Sequence, residues 1–546
     1  MKLGEFHPRR GTRSLSVLVA VGASLLAAGC TNTATKDSGG AALTDKVIPT
    51  FTWGLEAAPP SLDYAKSYAS TAQSVLPLVT EPLERVASDG TFTPAVAASV
   101  TQPDATTIVY KLRSDARFSD GQPLKPEDVV WSIEHAVSPT AQSLAAIPGG
   151  VKKVSVTGPS EVTVKLPSAA PTARAGLAIA ALVQEAKFAK AHAKDLGNAD
   201  APPVGTGPYK IDQFDAQKIT LSRNASYAGT KPAPDKVVFS VVTDDNSRQL
   251  ALRSGSIDGG QITNLKSGSQ WRAIPGATVY STAAFIQDFI ALDTSKAPFD
   301  DVHVRRAVAY AIDKPGLAKA AFGDFATPLN SLVPAGELAG VAGSTKKAQQ
   351  FVDGLPQYGF DMAKAKAELA KSATPKGFTT TVEYQSAIPW QKLAVLSLQQ
   401  NLAPLGVTIT PKSVTPNEWA AKFSQHQLTG LSPTGPFGAT TPDPASLLGQ
   451  FVGKDNIGPQ RINIANWTTA KVEQALPTVN TAGTAASRWA ATRTILSEVA
   501  DQVPYVPLFT ENTAFALREG YGFVKKDIDF YDVVNGGWIY DVKATA

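Results

Sequence analysis

Cysteine occurs once in 546 residues, so the chain cannot close a disulfide within itself. Histidine is almost as scarce: His7, His135, His192, His303 and His426 are scattered, with no metal-ligand spacing, which disfavours direct chelation of a metal such as nickel. A metal carried by an organic chelator would leave no such cluster, so it stays open. Charged residues make up only 18% of the chain, and no Lys/Arg stripe of the kind that neutralises nucleic-acid phosphates is present, which excludes that partner class. Also missing are a Gly-x-Ser-x-Gly elbow, a His-Glu-x-x-His pair and a Walker phosphate loop. Ser344-Thr-Lys-Lys347 satisfies Ser-x-x-Lys, but it sits in a Gly/Ala-rich loop without a Lys-Thr-Gly partner. The chain therefore reads as no enzyme and needs no cofactor. It lacks fixed-period repeats and long low-complexity segments.

What is present begins at the N-terminus. Lys2, Arg9, Arg10 and Arg13 precede the uncharged apolar run from Leu15 to Ala28, the order of a signal peptide over residues 1–29. That run is shorter than the roughly 20 apolar residues a bilayer-spanning helix needs. It ends in Leu26-Ala-Ala-Gly-Cys30, which resembles a bacterial lipobox and implies that Cys30 is acylated and becomes the first residue of the mature chain. An ordinary secretory signal with an incidental cysteine, or a buried core cysteine, is the alternative. Two or more acyl chains hold a protein stably on a membrane. The leader supplies +3 of the formal +4 charge, leaving about +1 for the rest. Residues 30–44, rich in Thr, Ala, Gly and Asp, read as a flexible tether.

With 43% hydrophobic residues, the rest of the chain can bury sizeable cores. Strand and helix patterns alternate, which predicts a mixed α/β or α+β fold. Ile108, Tyr110 and Leu112 alternate with polar neighbours as in a half-buried strand, and Val237 to Val242 is a second strand. Asp300 and Asp301 can cap a helix from Val302 to Phe322, broken near Pro315. Asp361 can cap another helix, carrying Ala365 and Leu369. A stripe of Leu393, Leu396, Leu402 and Leu405, closed by Gly406, leads into a strand at Val407–Ile409. A helix, a Gly stop and a strand in succession make a unit of a layered α/β body.

Five segments fall in an order that resembles the extracytoplasmic solute-binding proteins of family 5, the oligopeptide, dipeptide and nickel importer group. They are Pro60-Ser-Leu-Asp63 with Glu81-Pro-Leu83; Leu112-Arg113 with Phe118-Ser-Asp-Gly-Gln-Pro-Leu124 and Glu127-Asp-Val-Val130; Gly205-Thr-Gly-Pro-Tyr209 with Asn224 to Tyr227 and Arg248 to Asp258; Pro298-Phe-Asp-Asp301 through Arg305-Arg-Ala-Val308 to Ala311-Ile-Asp313; and Pro504-Tyr-Val-Pro-Leu508. Tyr64 stands where the family usually has Pro. Physically these motifs read as scaffold: Ser119 to Pro123 is a tight turn with Gly121 free to take positive φ. Pro126, Glu127 and Asp128 suit a helix start better than acid/base catalysis.

The resemblance implies a periplasmic-binding-protein-like type II fold of cluster C. It has two lobes with an additional inserted domain and a ligand cleft between the lobes. The core of the first lobe would comprise residues 45–80, 206–290 and 505–546, with an inserted domain at 81–205 and the second lobe at 291–504. It further implies a monomer outside the cytoplasm, lipid-anchored to the cell membrane, that captures peptides or similar solutes. These pass to ABC permease subunits driven by cytoplasmic ATPases. Opines, glycosides, antibiotics and metal chelates remain alternative solutes, and a sensor or a lipid-anchored hydrolase remain alternative roles. Peptide binders of the family often carry Gly-Trp-x-x-Asp, the Asp pairing with the ligand amine. Here Gly435-Pro-Phe437-Gly-Ala-Thr440 places Phe437 at the Trp and Thr440 at the Asp, with Gly438 between. Asp443-Pro444 reads as the cap of a helix from Ala445 to Phe451. Tyr68, Trp419 and His426 complete the candidate ligand-binding set, each with core packing as the alternative.

Overall fold

The computed structural model describes residues 42–147, 149–438, 441–481 and 483–546. The leader, Cys30, the tether up to residue 41 and Thr440 lie outside them.

Alternation decides which face of the first long hairpin is buried. In Thr107–Leu112 the side chains of Ile108, Tyr110 and Leu112 are buried while Lys111 is exposed. This strand pairs antiparallel with Ala97–Asp104 and Glu161–Lys165, and Lys153–Gly158 completes a four-stranded sheet. The turn that follows holds Gly121 at φ 91°, where a side chain would be strained. The helix Pro126–Ala136 then starts on Asp128, whose carboxylate accepts from Lys125 N at 2.9 Å and from Ala186 N at 3.0 Å. Its Val129 and Ile133 join Val162, Val164, Leu177 and Ile179 in one core.

Among the described residues nine strands form the central sheet. Its order runs Leu431–Gly438, Thr278–Leu292, Tyr505–Leu517, Gly259–Gln261, Phe51–Leu55, Lys236–Val241, Lys218–Arg223 and Tyr209–Phe214, with Ala326–Pro328 beside Tyr505–Leu517. Phe51–Leu55 runs parallel to Lys236–Val241, the strand expected at Val237. Two members are far longer than the mean strand of five to six residues: Thr278–Leu292 has 15 and Tyr505–Leu517 has 13. Their antiparallel register breaks between Ala283 and Gln287 and again between Asp288 and Phe289. On one side of these bulges Tyr280, Phe515 and Leu517 pack into a core with Phe51, Trp53 and Trp538. Beyond them Phe289 and Tyr505 pack with Phe451 and Trp419, while Ile290 and Phe509 pack with Trp390 and Leu398. The same two strands thus belong to both lobes, and the bulges lie at the crossing.

The second lobe contains a parallel pair, Thr379–Gln385 and Thr408–Val414, joined by the helix Pro389–Leu402. The buried row of that helix is Trp390, Ala394, Leu398 and Leu402, joined by Val395, whereas Leu396 is 40% exposed. The expected leucine stripe is therefore rotated, because Trp390, packed edge-on against Phe509 at 5.4 Å, sets the i, i+4 row that faces the core. The helix expected over Val302–Phe322 is broken near Pro315, as the sequence predicts. The helix ends at Tyr310 and a new one, Lys314–Phe322, opens on the Asp313 carboxylate, which accepts from Gly316 N at 3.0 Å. Pro315 thus falls in the first turn of the second helix, where its missing N–H costs nothing. Asp361 caps Met362–Leu369 and Gly406 sits at φ 82° after Leu405, both as the sequence predicts.

The motif residues spend their polar atoms on this scaffold. Asp63 holds His135 Nε2 at 2.9 Å, and Glu81 accepts from Arg85 at 3.0 Å and Tyr227 at 3.1 Å. Asn224 Nδ2 donates to Gly207 O at 2.9 Å, and Asp258 accepts from Thr52 N at 2.7 Å and Arg518 Nε at 2.6 Å.

Candidate functional site

The two lobes face one another across a cavity of about 540 Å³. Ala145, Gly149 and Ala170 to Thr172 form its first-lobe wall, and Gly438, Ala445, Ser446, Gly449 and Asn480 line the second-lobe wall. Gly438 ends a sheet strand, and Ala445–Phe451 is the helix that follows. At Asp89–Gly90 the first-lobe hairpin touches the second lobe: a Cβ on Gly340 would lie 3.5 Å from Asp89 O, and one on Gly90 would lie 3.7 Å from both Gly340 Cα and Pro442 O.

A buried seam adjoins the cavity. A Cβ on Gly438 would lie 3.7 Å from the carbonyl oxygen of Phe285, and the Phe285 ring packs edge-on against Tyr531 at 5.2 Å. Gly336 abuts the same ring from the second lobe, so that Glu337, in the first turn of helix Ala335–Ala342, comes close to Tyr531 of the first lobe. Both residues are buried, Glu337 completely. Glu337 Oε1 accepts from Gln287 Nε2, while Glu337 Oε2, Gln287 Oε1 and the hydroxyls of Tyr531, Tyr68 and Tyr64 have no hydrogen-bond partner among the described residues. Tyr64 and Tyr68 pack edge-on at 5.1 Å. Buried polar groups are ordinarily satisfied by protein or by ordered water, and these five atoms have no protein partner among the described residues.

The charges in the seam are unequal. Asp443 is bound by both ends of the Arg488 guanidinium, with Arg488 Nη1 donating at 2.8 Å, and also accepts from Ala445 N at 2.9 Å, while Pro444 takes the N-cap position of the helix and no side chain caps it. Arg488 spends its other donors on Val479 O at 3.0 and 3.1 Å. No Lys or Arg among the described residues forms an ion pair with Glu337, and burial pushes its carboxyl well above the usual carboxylate range, with the Asp443 charge adding to the effect. Asp288, at the bulge of the crossover strand, has both oxygens without a donor and lies beside Glu511 of the returning strand. Burial raises both carboxyls, and their mutual repulsion is relieved when one of the pair keeps its proton. A Cβ at Gly435 would fall 2.2 Å from Asp288 Oδ1, so the strand passes this acid only as glycine, at φ 141°.

The residues singled out from sequence separate. Gly438 lines the cavity and Tyr68 borders the seam through its buried hydroxyl. Phe437 stacks on Phe289 at 5.6 Å and lies 5.8 Å from Phe423, which stacks on Trp419 at 5.0 Å, so Phe437 and Trp419 are two ends of one aromatic group in the second-lobe core. His426, at φ 54°, is pinned between Asn466 Oδ1 at 3.1 Å and Arg461 O at 2.9 Å, within a loop network that continues to Asp293. Glu337, Tyr531, Gln287 and the Asp288–Glu511 pair are absent from the sequence reading. Glu337 looks like an ordinary first-turn acid, and only the tertiary fold brings Tyr531, near the C-terminus, to it.

Two long strands are shared by two lobes, with a polar seam between them. Residues 91–459 match the bacterial extracellular solute-binding proteins, family 5. The chain belongs to that family, a family of binding proteins of ABC importers that work outside the cytoplasm. Its relatives include the glutathione-binding protein GsiB of Shigella dysenteriae, 24% identical over 445 residues, covering 78% of this chain and 83% of GsiB. Among solved structures, the substrate-binding protein CtaP of Listeria monocytogenes superposes with a TM-score of 0.75 at 21% identity, covering 92% of this chain and all of that one. DppA of Helicobacter pylori, in complex with the peptide STSA, superposes with a TM-score of 0.68 at 20% identity, covering 92% and 99%. The expected type II binding-protein architecture is thereby established, and the relatives are solute-binding proteins. No helix among the described residues is long and apolar enough to cross a membrane, and no cluster of His, Cys, Asp and Glu there could hold a metal ion.

Proposed function

We propose that this chain is the receptor subunit of an ABC importer, which closes its two lobes around a peptide or peptide-like solute and delivers it to a membrane permease driven by cytoplasmic ATPases. The observation that carries the reading is the interlobe seam, where buried, partnerless polar atoms of Tyr68, Tyr531, Gln287 and Glu337 come from both lobes. Such atoms stabilise a closed state only when a solute satisfies them, which couples closure to capture. The cavity of about 540 Å³ falls within the range that small solutes occupy. A peptide is favoured by the names of two relatives, one called after glutathione and one solved with STSA. Tyr68 and Gly438 are assigned to the ligand side, with Phe437 and Trp419 as the aromatic layer beside Gly438, and His426 is assigned to the loop it fixes through Asn466 and Arg461.

The lobe boundaries we adopt are 45–80, 206–290 and 505–546 for the first-lobe core, 81–205 for its inserted domain and 291–504 for the second lobe. Cys30 is assigned as the acylated residue that ties a monomer to the membrane. The test is native mass spectrometry of the purified protein, with identification of whatever small molecules leave on denaturation. Short peptides are expected; a single opine, glycoside, antibiotic or metal chelate would overturn the peptide assignment.

A further inference from the structure

Among the described residues, none that lines the interlobe cavity of about 540 Å³ is charged. The polar side chains on its walls are Thr172 from the first lobe and Ser446, Gln450 and Asn480 from the second. Charged residues close by in the sequence are committed elsewhere. Arg174, two residues beyond Thr172, donates Nε and Nη2 to the Glu84 carboxylate at 2.8 and 2.6 Å and lies over the Phe92 ring at 4.2 Å. Asp443 and Arg488 neutralise one another, and Lys152 and Lys454 are exposed to solvent.

Asn480 is fixed in this wall. It follows helix Ala470–Val479, its N–H donates to Leu476 O at 3.0 Å, and the carbonyl before it, Val479 O, accepts twice from Arg488 at 3.0 and 3.1 Å. A Cβ on Gly449 would lie 3.0 Å from Asn480 Oδ1, so the amide lies against a residue that has no side chain to displace it. Asn480 Oδ1 is buried without a hydrogen-bond partner among the described residues. The other polar groups of this wall are partly spent: Ser446 Oγ donates to Thr441 O at 3.0 Å, and Gln450 Nε2 donates to Ser446 O at 2.6 Å. A primary amide presents an acceptor and two donors without a net charge.

We infer that the part of the solute that fills this cavity is uncharged, a hydroxyl- or amide-bearing side group, and that Asn480 of the second lobe sets this specificity, with Thr172 of the first lobe as its polar counterpart. The inference rests on the cleft reading above and narrows the peptide class to peptides whose side chain at this place is neutral. A side-chain ammonium or carboxylate that leaves water for these walls meets no opposite charge, and burying a charge without a partner is costly. A hydroxyl or an amide instead exchanges its bonds to water for bonds of the same kind to Asn480 and Thr172. Ala145, Gly149, Gly438 and Ala445 keep the walls short, so selection acts through polarity more than through size.

The experiment offers the full chain synthetic tripeptide pools with free termini and reads capture by native mass spectrometry. One pool is built from Ser, Thr, Asn and Gln, one from Lys and Arg, and one from Asp and Glu, so that whichever side chain enters the cavity has the character of its pool. Wild type should capture the neutral pool at least about tenfold better than either charged pool. In Asn480→Asp, which keeps the shape and adds a negative charge, capture of the Lys/Arg pool should rise at least about tenfold relative to the neutral pool, while the Asp/Glu pool stays excluded. Equal capture of neutral and charged pools by wild type overturns the inference and leaves the peptide reading standing, as does an unchanged preference in Asn480→Asp. Capture of no pool overturns the peptide reading, and the inference falls with it.

Discussion

Lys314 offers a quantitative test of how this fold handles buried charge. It lies in the first turn of helix Lys314–Phe322, is 7% exposed, and its Nζ donates to Leu329 O at 3.2 Å with no carboxylate partner among the described residues. Burial lowers its pKa from the ordinary 10.5 to about 8. That difference corresponds to about 3 kcal/mol of native-state penalty wherever both folded and unfolded chains are protonated. Below about pH 8 the full penalty applies. Between pH 8 and 10.5 the native state gives up its proton first and the penalty is relieved; above that range both states are neutral.

In Lys314→Met the apolar stem is kept and the ammonium removed. The loss of the Leu329 hydrogen bond offsets about 1 kcal/mol. The variant should therefore be more stable than wild type by about 2 kcal/mol at pH 7. Its advantage should shrink steadily towards pH 10 and disappear. Urea unfolding of both proteins at a series of pH values measures the difference directly, and taking that difference cancels the other titrating groups common to both. A difference that stays flat from pH 7 to pH 10, or a variant less stable at pH 7, would refute the reasoning.

Replacing Arg488 by Met leaves the half-buried Asp443 without its guanidinium and should cost about 2–3 kcal/mol, read by urea unfolding. Gly435→Ala places a methyl against Asp288 at an unfavourable φ and should destabilise by more than about 1 kcal/mol, measured the same way. Asp301→Ala removes the carboxylate that accepts from His303 N at 2.8 Å and Ala373 N at 2.8 Å, and should lower stability by about 1–2 kcal/mol. Tyr531→Phe deletes a hydroxyl that has no partner among the described residues. Its thermal midpoint should therefore hold while solute affinity falls, a pairing that calorimetry and thermal unfolding check together.

Much of the scaffold was legible because it is written in local chemistry. The strand at Thr107–Leu112, the Gly121 turn, the Asp361 cap and the Gly406 stop each depend on residues within a few positions of one another. The helix Pro389–Leu402 was legible in existence but not in orientation. Leucine spacing alone cannot reveal that Trp390 selects the buried row. The break near Pro315 was legible as well, because a proline interrupts a helix or opens the next one, here behind the Asp313 cap.

The site was the least legible part. Gly438 and Tyr68 stood out by position in the family pattern; Gly438 lines the cavity and Tyr68 lies near Tyr531, whereas Glu337, Gln287 and Tyr531 are ordinary residues locally. They gain meaning only where strands 278–292 and 505–517 and the C-terminal segment bring the lobes together. Long-range convergence of single polar side chains leaves no periodic trace in a sequence.

The most direct test of the central claim, that the solute is held between the lobes, compares native mass spectra of wild type and Gly438→Trp. The backbone there accepts a side chain: a Cβ would meet its nearest neighbour at an ordinary 3.7 Å, and it faces the cavity of about 540 Å³. The wild type should carry a small-molecule mass that is lost on denaturation, and the variant, equally folded by circular dichroism, should lack it. The same bound mass on both proteins would contradict the account.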